Sequence, residues 1–303
     1  MRDSLITEVS EISEPMEFSM GLNTNSLTIN EYDYLEFKPE ELTSVQHLYI
    51  NDTYCIKSFG GHAFTALKTL CIQKCKELEF LPHAEGAEQY ALDKLSIGSS
   101  CDSLITLPLG FFPNLIRLCI WDCANLESLS MPEGIHNKDL LKSLKTLDIS
   151  DCPKFVSFPK RGLPTPNLIS IFFSNCKNLK ELPHELHTLN SLKSMTISDC
   201  PQLVSPSQGG LPPRLSTLSI TFCDKLMLGK EWGLHKLDCL RWLEIEGGCK
   251  NVYSFPDENL LPSNLNSLRV TRLSNLRHVN CKGLQHLTAL KTLKISHRFL
   301  PQD

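Results

Sequence analysis

Apolar and polar residues alternate over short stretches of this chain, and the stretches recur. Leu70-Cys71-Ile72, Leu147-Asp148-Ile149 and Ile171-Phe172-Phe173 each place two apolar side chains on one side of an extended segment and a third side chain on the other. Around each lies a longer frame. One copy runs from Leu67 through Leu70, Ile72, Cys75 and Leu78 to Leu81-Pro82. Another runs from Leu144 through Leu147, Ile149, Cys152 and Phe155 to Phe158-Pro159, and a third from Leu168 through Ile171, Phe173, Cys176 and Leu179 to Leu182-Pro183. The frame returns from Leu115, Leu192, Leu215, Leu265 and Leu290. Copies starting at Leu92 and Leu240 carry one extra residue before Cys101 and Cys249. Two weaker copies come first: Val45, Leu48, Ile50, Thr53, Ile56 and Phe59, and before them Leu27, Ile29, Tyr32 and Leu35.

Starts separated by 21 to 29 residues make this a repeat architecture, in which one turn buries too little apolar surface to offset its own ordering entropy. Stacking supplies the missing burial. The predicted fold is an α/β solenoid, a leucine-rich-repeat horseshoe of about twelve turns with a concave parallel β-sheet and a mostly irregular convex side. The return segments 159–164, 206–213 and 256–262 are rich in Pro and Gly, which favours extended or 3₁₀-like backbone over helix. Glu185 to Leu192 lacks proline and leaves room for a helical turn, as does the long spacing around Glu133 to Lys142. Residues 21–303 are expected to form the repeat domain. Residues 1–20, with Glu8, Glu11, Glu14 and Glu17, are expected to be an acidic and poorly ordered segment.

Composition narrows the class of function. With 41% hydrophobic and 21% charged residues and a net charge of −4, the chain lacks the basic excess of a general nucleic-acid binder. No apolar run reaches the ~18 residues that would span a bilayer, so no membrane partner is expected. The amino end has no apolar signal region. The 13 cysteines then read as reduced thiols in a cytoplasmic protein. The sequon Asn51-Asp52-Thr53 is a chance match for a chain this long.

Eight cysteines, from Cys75 to Cys249, hold one place in the frame, where a small side chain turns inward. They read as a structural spine and not as a metal or redox stack. Cys71/Cys75 and Cys119/Cys123 resemble metal pairs, but in each the first residue faces out and the second in, so they do not share one zinc ion. His184 and His187 lack a third ligand. No phosphate-binding, nucleophile-elbow or zinc-protease string occurs. No cofactor, metal or catalytic set is expected; the chain reads as a binder and not an enzyme.

Binding is expected on the outward strand positions, which differ from turn to turn. Tyr49, Trp121, Phe172, Phe222 and Trp242 supply exposed aromatic surface; Asp148, Arg241, Glu244 and Arg269 supply charge beside it, the usual make-up of a protein-interface hot spot. Trp242 with Arg241 and Glu244 is the favoured cluster.

The frame Leu-x-x-Leu-x-Ile-x-x-Cys-x-x-Leu-x-x-Leu-Pro, return strings of the type Phe-Pro-x-x-Gly-Leu-Pro, and lines such as Leu144 to Pro153 and Leu182 to Leu186 resemble the carboxy-terminal repeats of plant intracellular disease-resistance proteins of the coiled-coil, nucleotide-binding, leucine-rich-repeat type. The resemblance covers about Ser26 to Ile295. It implies recognition of a protein ligand, a pathogen effector or a guarded host protein, with a nucleotide-binding domain against the amino-terminal edge. Family members carry a coiled-coil region and an ATPase module before the repeats, and neither motif set is in this sequence. The competing class is an adaptor or substrate-binding scaffold of the ubiquitin-ligase type, which would need an F-box ahead of the repeats. A secreted inhibitor on the same fold would need a signal peptide and Gly-x-Ile-Pro strings.

Overall fold

The structure is a computed structural model that describes residues 16–17, 24–31, 35–36, 44–53, 66–77, 91–131, 141–160, 162–204 and 209–296. Its contacts group into two compact units, residues 1–152 and 153–303. The segment 1–20 lies outside the described residues except Met16–Glu17, which pairs in parallel with Leu35–Glu36. The turn around Glu133 to Lys142 and the segment 297–303 also fall largely or wholly outside them.

Six five-residue strands build the first unit: β1 Ser26–Asn30, β2 His47–Asn51, β3 Thr69–Gln73, β4 Lys94–Gly98, β5 Arg117–Trp121 and β6 Thr146–Ser150. Each lies parallel to the next in chain order, position against position. The second unit repeats the plan with β7 Ser170–Ser174, β8 Ser194–Ser198, β9 Thr217–Thr221, β10 Trp242–Glu246, β11 Ser267–Thr271 and β12 Thr292–Ser296. Register without slip follows from the alternation, since a one-residue shift would turn every aliphatic outward. The second and fourth residues of β1 to β11 are buried, from Leu27 and Ile29 to Leu268 and Val270. In β12, on which no further strand stacks among the described residues, Leu293 stays 48% exposed.

The protein is a parallel-sheet solenoid, and about twelve turns is slightly high. About nine turns carry the regular pattern: β3 to β6 and β7 to β11 are each followed by a buried Cys75, Cys101, Cys123, Cys152, Cys176, Cys200, Cys223, Cys249 or Leu273. Helix is scarce. The described return segments hold 3₁₀ turns at Leu109–Phe111, Leu186–Thr188, Lys230–Trp232, Leu234–Lys236 and Cys281–Gly283 and no α-helix. The α in the expected class is thus a single 3₁₀ turn where it occurs, because these segments are short and interrupted by Pro and Gly.

Two devices close each turn. The ladder cysteines are buried, and those outside the two copies with an extra residue donate from Sγ to the carbonyl two residues back, as Cys75 to Gln73 at 3.3 Å, Cys152 to Ser150 at 3.2 Å and Cys200 to Ser198 at 3.3 Å. Thr53 does the same with its hydroxyl, to Asn51 O at 3.2 Å, and is only 1% exposed. The sequon threonine is therefore a core residue. Between strand and ladder residue sits a corner in the left-handed region, at Asp52, Lys74, Ser99, Asp122, Asp151, Asn175, Asp199, Phe222, Gly247 and Arg272. Its N–H donates to the last strand carbonyl of the next turn, as Asp52 to Gln73 at 2.9 Å and Asp199 to Thr221 at 2.9 Å. Asp, Asn and Gly recur here because they tolerate positive φ best.

Candidate functional site

The outward face of each ladder is built from the first, third and fifth residues of its strands. In the second unit the middle row reads Phe172, Thr196, Ser219, Glu244, Arg269 and Lys294. Phe172 is 36% exposed and Trp242, at the first position of β10, is 40% exposed. Thr217 and Ser267 flank Trp242 in the same row. Between the two aromatics lies a floor of small hydroxyl residues, Ser194, Thr196, Thr217 and Ser219. It spans β8 and β9, so Phe172 and β10 stand three strand spacings apart, roughly 14 Å.

The favoured trio does not assemble. Arg241 precedes its strand and its guanidinium turns back, donating to Asp238 O at 2.8 Å and Leu240 O at 3.3 Å. Glu244 instead accepts from Ser219 Oγ at 2.9 Å and lies 3.2 Å from Arg269 Nε. The Nε–H is not aligned for a hydrogen bond, so that contact is an ion pair only. Arg269 also reaches Glu246 at 3.7 Å, and Arg272 binds Glu246 at 2.8 Å. Glu244, Arg269, Glu246 and Arg272 thus form one alternating network beside Trp242. The sequence marks Arg272 as an outward charge beside Arg269, but the reading missed Glu246, although the i, i+2 strand spacing of Glu244 and Glu246 was a signal.

In the first unit the middle row is Thr28, Tyr49, Cys71, Ser96, Cys119 and Asp148. Tyr49 is 40% exposed. Burial pushes the Asp148 carboxyl up from its ordinary value, against the Arg117 guanidinium, which pulls it down. Its Oδ1 is buried without a hydrogen-bond donor. Burial also raises the half-buried thiols of Cys71 and Cys119, while Cys75 and Cys123 lie inside.

Trp121 and Phe222 lie on the outward side but have a structural neighbour. A Cβ on Gly98 would fall 1.9 Å from the Trp121 ring, and one on Gly247 would fall 2.5 Å from the Phe222 ring. Each aromatic therefore rests on the backbone of a glycine in the adjacent turn, covering ladder groups that no side chain shields. Phe222 is itself a left-handed corner residue with φ 52°. His187 stands on the return side, where its ring abuts Gly209. Among the described residues no group of three His, Cys, Asp or Glu is placed to hold a metal ion, and no helix is long and apolar enough to cross a membrane. Burial raises the thiols of Cys101, Cys223 and Cys249, the last to about 12, whereas side-chain bonds with the neighbouring ladder thiols Cys152 and Cys176 lower those of Cys123 and Cys200.

Repeating strand, left-handed corner, inward small residue and 3₁₀ or extended return define a leucine-rich-repeat protein. No family model matches the chain. Its curated relatives are plant disease-resistance proteins, and the match is consistent with their leucine-rich-repeat region. It is 42% identical over 295 residues to disease resistance protein At3g14460 of Arabidopsis thaliana, which covers 95% of this chain and 20% of that protein. Disease resistance RPP13-like protein 1 of the same plant is 34% identical over 117 residues, 38% of this chain and 11% of the relative. TMV resistance protein N of Nicotiana glutinosa is 30% identical over 113 residues, 37% and 9%. The chain spans about a fifth or less of the length of these relatives. Among solved structures, an internalin of Listeria monocytogenes is matched over 92% of this chain and 87% of its own, at 14% identity and a TM-score of 0.34. A leucine-rich repeat protein of Bacteroides ovatus is matched over 90% and 75%, at 15% identity and 0.25.

Proposed function

We propose that the chain is the protein-recognition, ligand-sensing domain of a plant disease-resistance protein, and that it binds a pathogen effector or a host protein through its outward strand face. The observation that carries this reading is the face of the second unit: a hydroxyl floor bounded by Phe172 on one side and by Trp242 with the Glu244–Arg269–Glu246–Arg272 network on the other. Exposed aromatics beside oriented charges are what protein interfaces use as anchors. The domain acts by binding and not by catalysis, it works in the cytoplasm, and a nucleotide-binding domain lies against the amino-terminal edge of the repeats. The disease-resistance relatives support the biological setting; the ligand and these finer assignments are the proposal.

The test places a photo-crosslinking phenylalanine at position 172 or 242, or at His187 on the return side, in the full-length receptor in infected plant tissue. Crosslinks to a pathogen or host protein are expected from 172 and 242. Phe172→Ala and Trp242→Ala should each weaken that complex by about tenfold or more, the effect of losing an aromatic anchor. Crosslinks from 187 alone, or a complex unaffected by both alanines, would refute the assignment.

A further inference from the structure

Past the corner and the ladder residue, each turn of the second unit carries another outward position, four residues after the ladder residue and off the strand face. In successive turns it is held by Lys180, Val204, Met227, Tyr253 and Arg277. Backbone bonds line these residues up. Val204 N–H donates to Lys180 O at 3.2 Å, Met227 N–H to Val204 O at 3.1 Å, and Arg277 N–H to Tyr253 O at 2.9 Å. These bonds join Lys180, Val204 and Met227 in one run and Tyr253 and Arg277 in another, and Lys250 N–H donating to Asp224 O at 3.1 Å keeps the two runs in register, so the five positions form one column. Val204, Met227 and Tyr253 are 41%, 48% and 54% exposed, and Lys180 and Arg277 at the two ends are exposed as well.

A basic row runs beside this column. Lys177, Lys225 and Lys250 are exposed in the same turns, one or two residues after the ladder position. Lys225 Nζ donates to Gln202 Oε1 at 2.6 Å, and Lys250 Nζ meets Asp224 Oδ2 at 2.5 Å. The acids on this flank among the described residues are Asp224 and Glu181, so cations predominate on a chain whose net charge is −4. Three adjacent exposed apolar side chains, bounded at both ends and along one side by cations, form a surface of net positive charge with an apolar floor.

We infer that this flank is a second docking surface, and that its occupant is an acidic, apolar segment of a protein partner. Carboxylates would meet Lys177, Lys225, Lys250 and the two end cations while aliphatic or aromatic side chains cover Val204, Met227 and Tyr253. From Lys180 to Arg277 the column crosses four turns, roughly 19 Å at strand spacing, the reach of an extended segment of about six residues. A single-stranded nucleic acid fits less well: Tyr253 is the one aromatic in the column, and such sites stack successive bases on aromatic rings. An anionic bilayer fits less well too, since three side chains bury little apolar area and no amphipathic helix presents them. The surface is independent of the strand face, and Phe172 and Trp242 enter its test only as a control.

The probe is a fluorescein-labelled twelve-residue peptide of alternating Glu and Leu, titrated into the intact chain by fluorescence anisotropy, with a Lys/Leu peptide, single-stranded RNA and phosphatidylserine vesicles alongside. The Glu/Leu peptide should bind, and the binding should weaken with added salt. Lys225→Glu with Lys250→Glu, and separately Met227→Ser with Tyr253→Ser, should each weaken it by about tenfold or more. Phe172→Ala with Trp242→Ala should leave it unchanged. These positions are exposed, and each variant must melt like the parent for its titration to count; Lys225→Gln with Lys250→Gln serves if the reversals do not. No binding by the parent overturns the proposal, as does equal binding by the flank variants. Flank-dependent binding of RNA or vesicles in place of the peptide overturns it in favour of that occupant.

Discussion

Ile197 sits at the fourth position of β8, fully buried, in register between Phe173 and Ile220. Ile197→Asp removes an aliphatic side chain worth roughly 1.5–3 kcal/mol of burial. Even as the neutral acid, the new carboxyl enters a stack whose in-register neighbours Phe173 and Ile220 offer it no donor, at about 1–3 kcal/mol. At pH 7 it must also take up a proton some three units above its ordinary value near ~3.9, which costs about 4 kcal/mol at ~1.36 per unit. The sum, about 7–10 kcal/mol, rivals the ~5–15 kcal/mol that holds a whole domain folded. Ile197→Asn has nearly the same shape and lacks the charge, so it separates the contributions. The folded-state pKa of the introduced aspartate is raised. Its ionisation penalty is therefore absent below ~3.9 and grows with every pH unit above it until the folded pKa is passed. The stability gap between the Asp and Asn variants should accordingly shrink by about 2.7 kcal/mol from pH 7 to pH 5. Urea unfolding followed by far-UV circular dichroism at both pH values measures it. A parental midpoint for Ile197→Asp, or a gap that does not change with pH, would show that position 197 reaches water and that the inward stack is wrongly assigned.

Iodoacetamide at pH 8 followed by mass spectrometry should label the exposed Cys239 and Cys281 well before Cys101, Cys223 and Cys249, whose thiols burial holds protonated. Comparable labelling would mean that the ladder opens. Gly248→Ala should lower the thermal midpoint more than Gly233→Ala. Both have φ near 60°, a strain of about 1–2 kcal/mol for an L residue, but a Cβ at 248 would also fall 2.5 Å from Cys223 N, whereas one at 233 meets nothing within 4 Å. Equal midpoints would remove the close approach of the two turns. Asp148→Asn should stabilise the protein at pH 7 and lose that advantage toward pH 3, because burial raises the Asp148 pKa and ionisation above its unfolded value costs stability; urea midpoints at the two pH values decide.

What the sequence made legible is whatever repeats. Apolar residues recur at the places of Leu147 and Ile149 in every copy, so the burial of these two followed from period two alone. The cysteine spine was legible for the same reason. The left-handed corner was missed because its signal is mixed: Asp, Asn and Gly fill it often, but Lys74, Phe222 and Arg272 fill it as well. Which partner an outward side chain takes was not legible. Arg241, Trp242 and Glu244 are near neighbours in sequence, yet Arg241 precedes the strand and bonds its own turn, and Glu244 chooses Arg269, 25 residues on. Contacts between successive turns are set by register, and a list of outward residues does not contain them.

Register also divides the outward aromatics, of which Trp121 is half-buried, into two kinds. Trp121 and Phe222 lie over Gly98 and Gly247, so removing either ring exposes the backbone of the next turn as well as the aromatic surface itself. Tyr49 stands between Thr28 and Cys71, and Trp242 between Thr217 and Ser267, where small neighbours bear no ring upon them. A change at Trp121 or Phe222 alters fold and surface together, whereas one at Tyr49, Phe172 or Trp242 alters surface with the inward stack untouched. A face that must meet different ligands can vary cheaply only at the second kind, because there the ladder bonds and the buried apolar pairs do not depend on which side chain points out. Melting should therefore separate the two sets of alanine variants before any ligand is added: Trp121→Ala and Phe222→Ala should lower the midpoint, and Tyr49→Ala and Trp242→Ala should leave it near that of the parent.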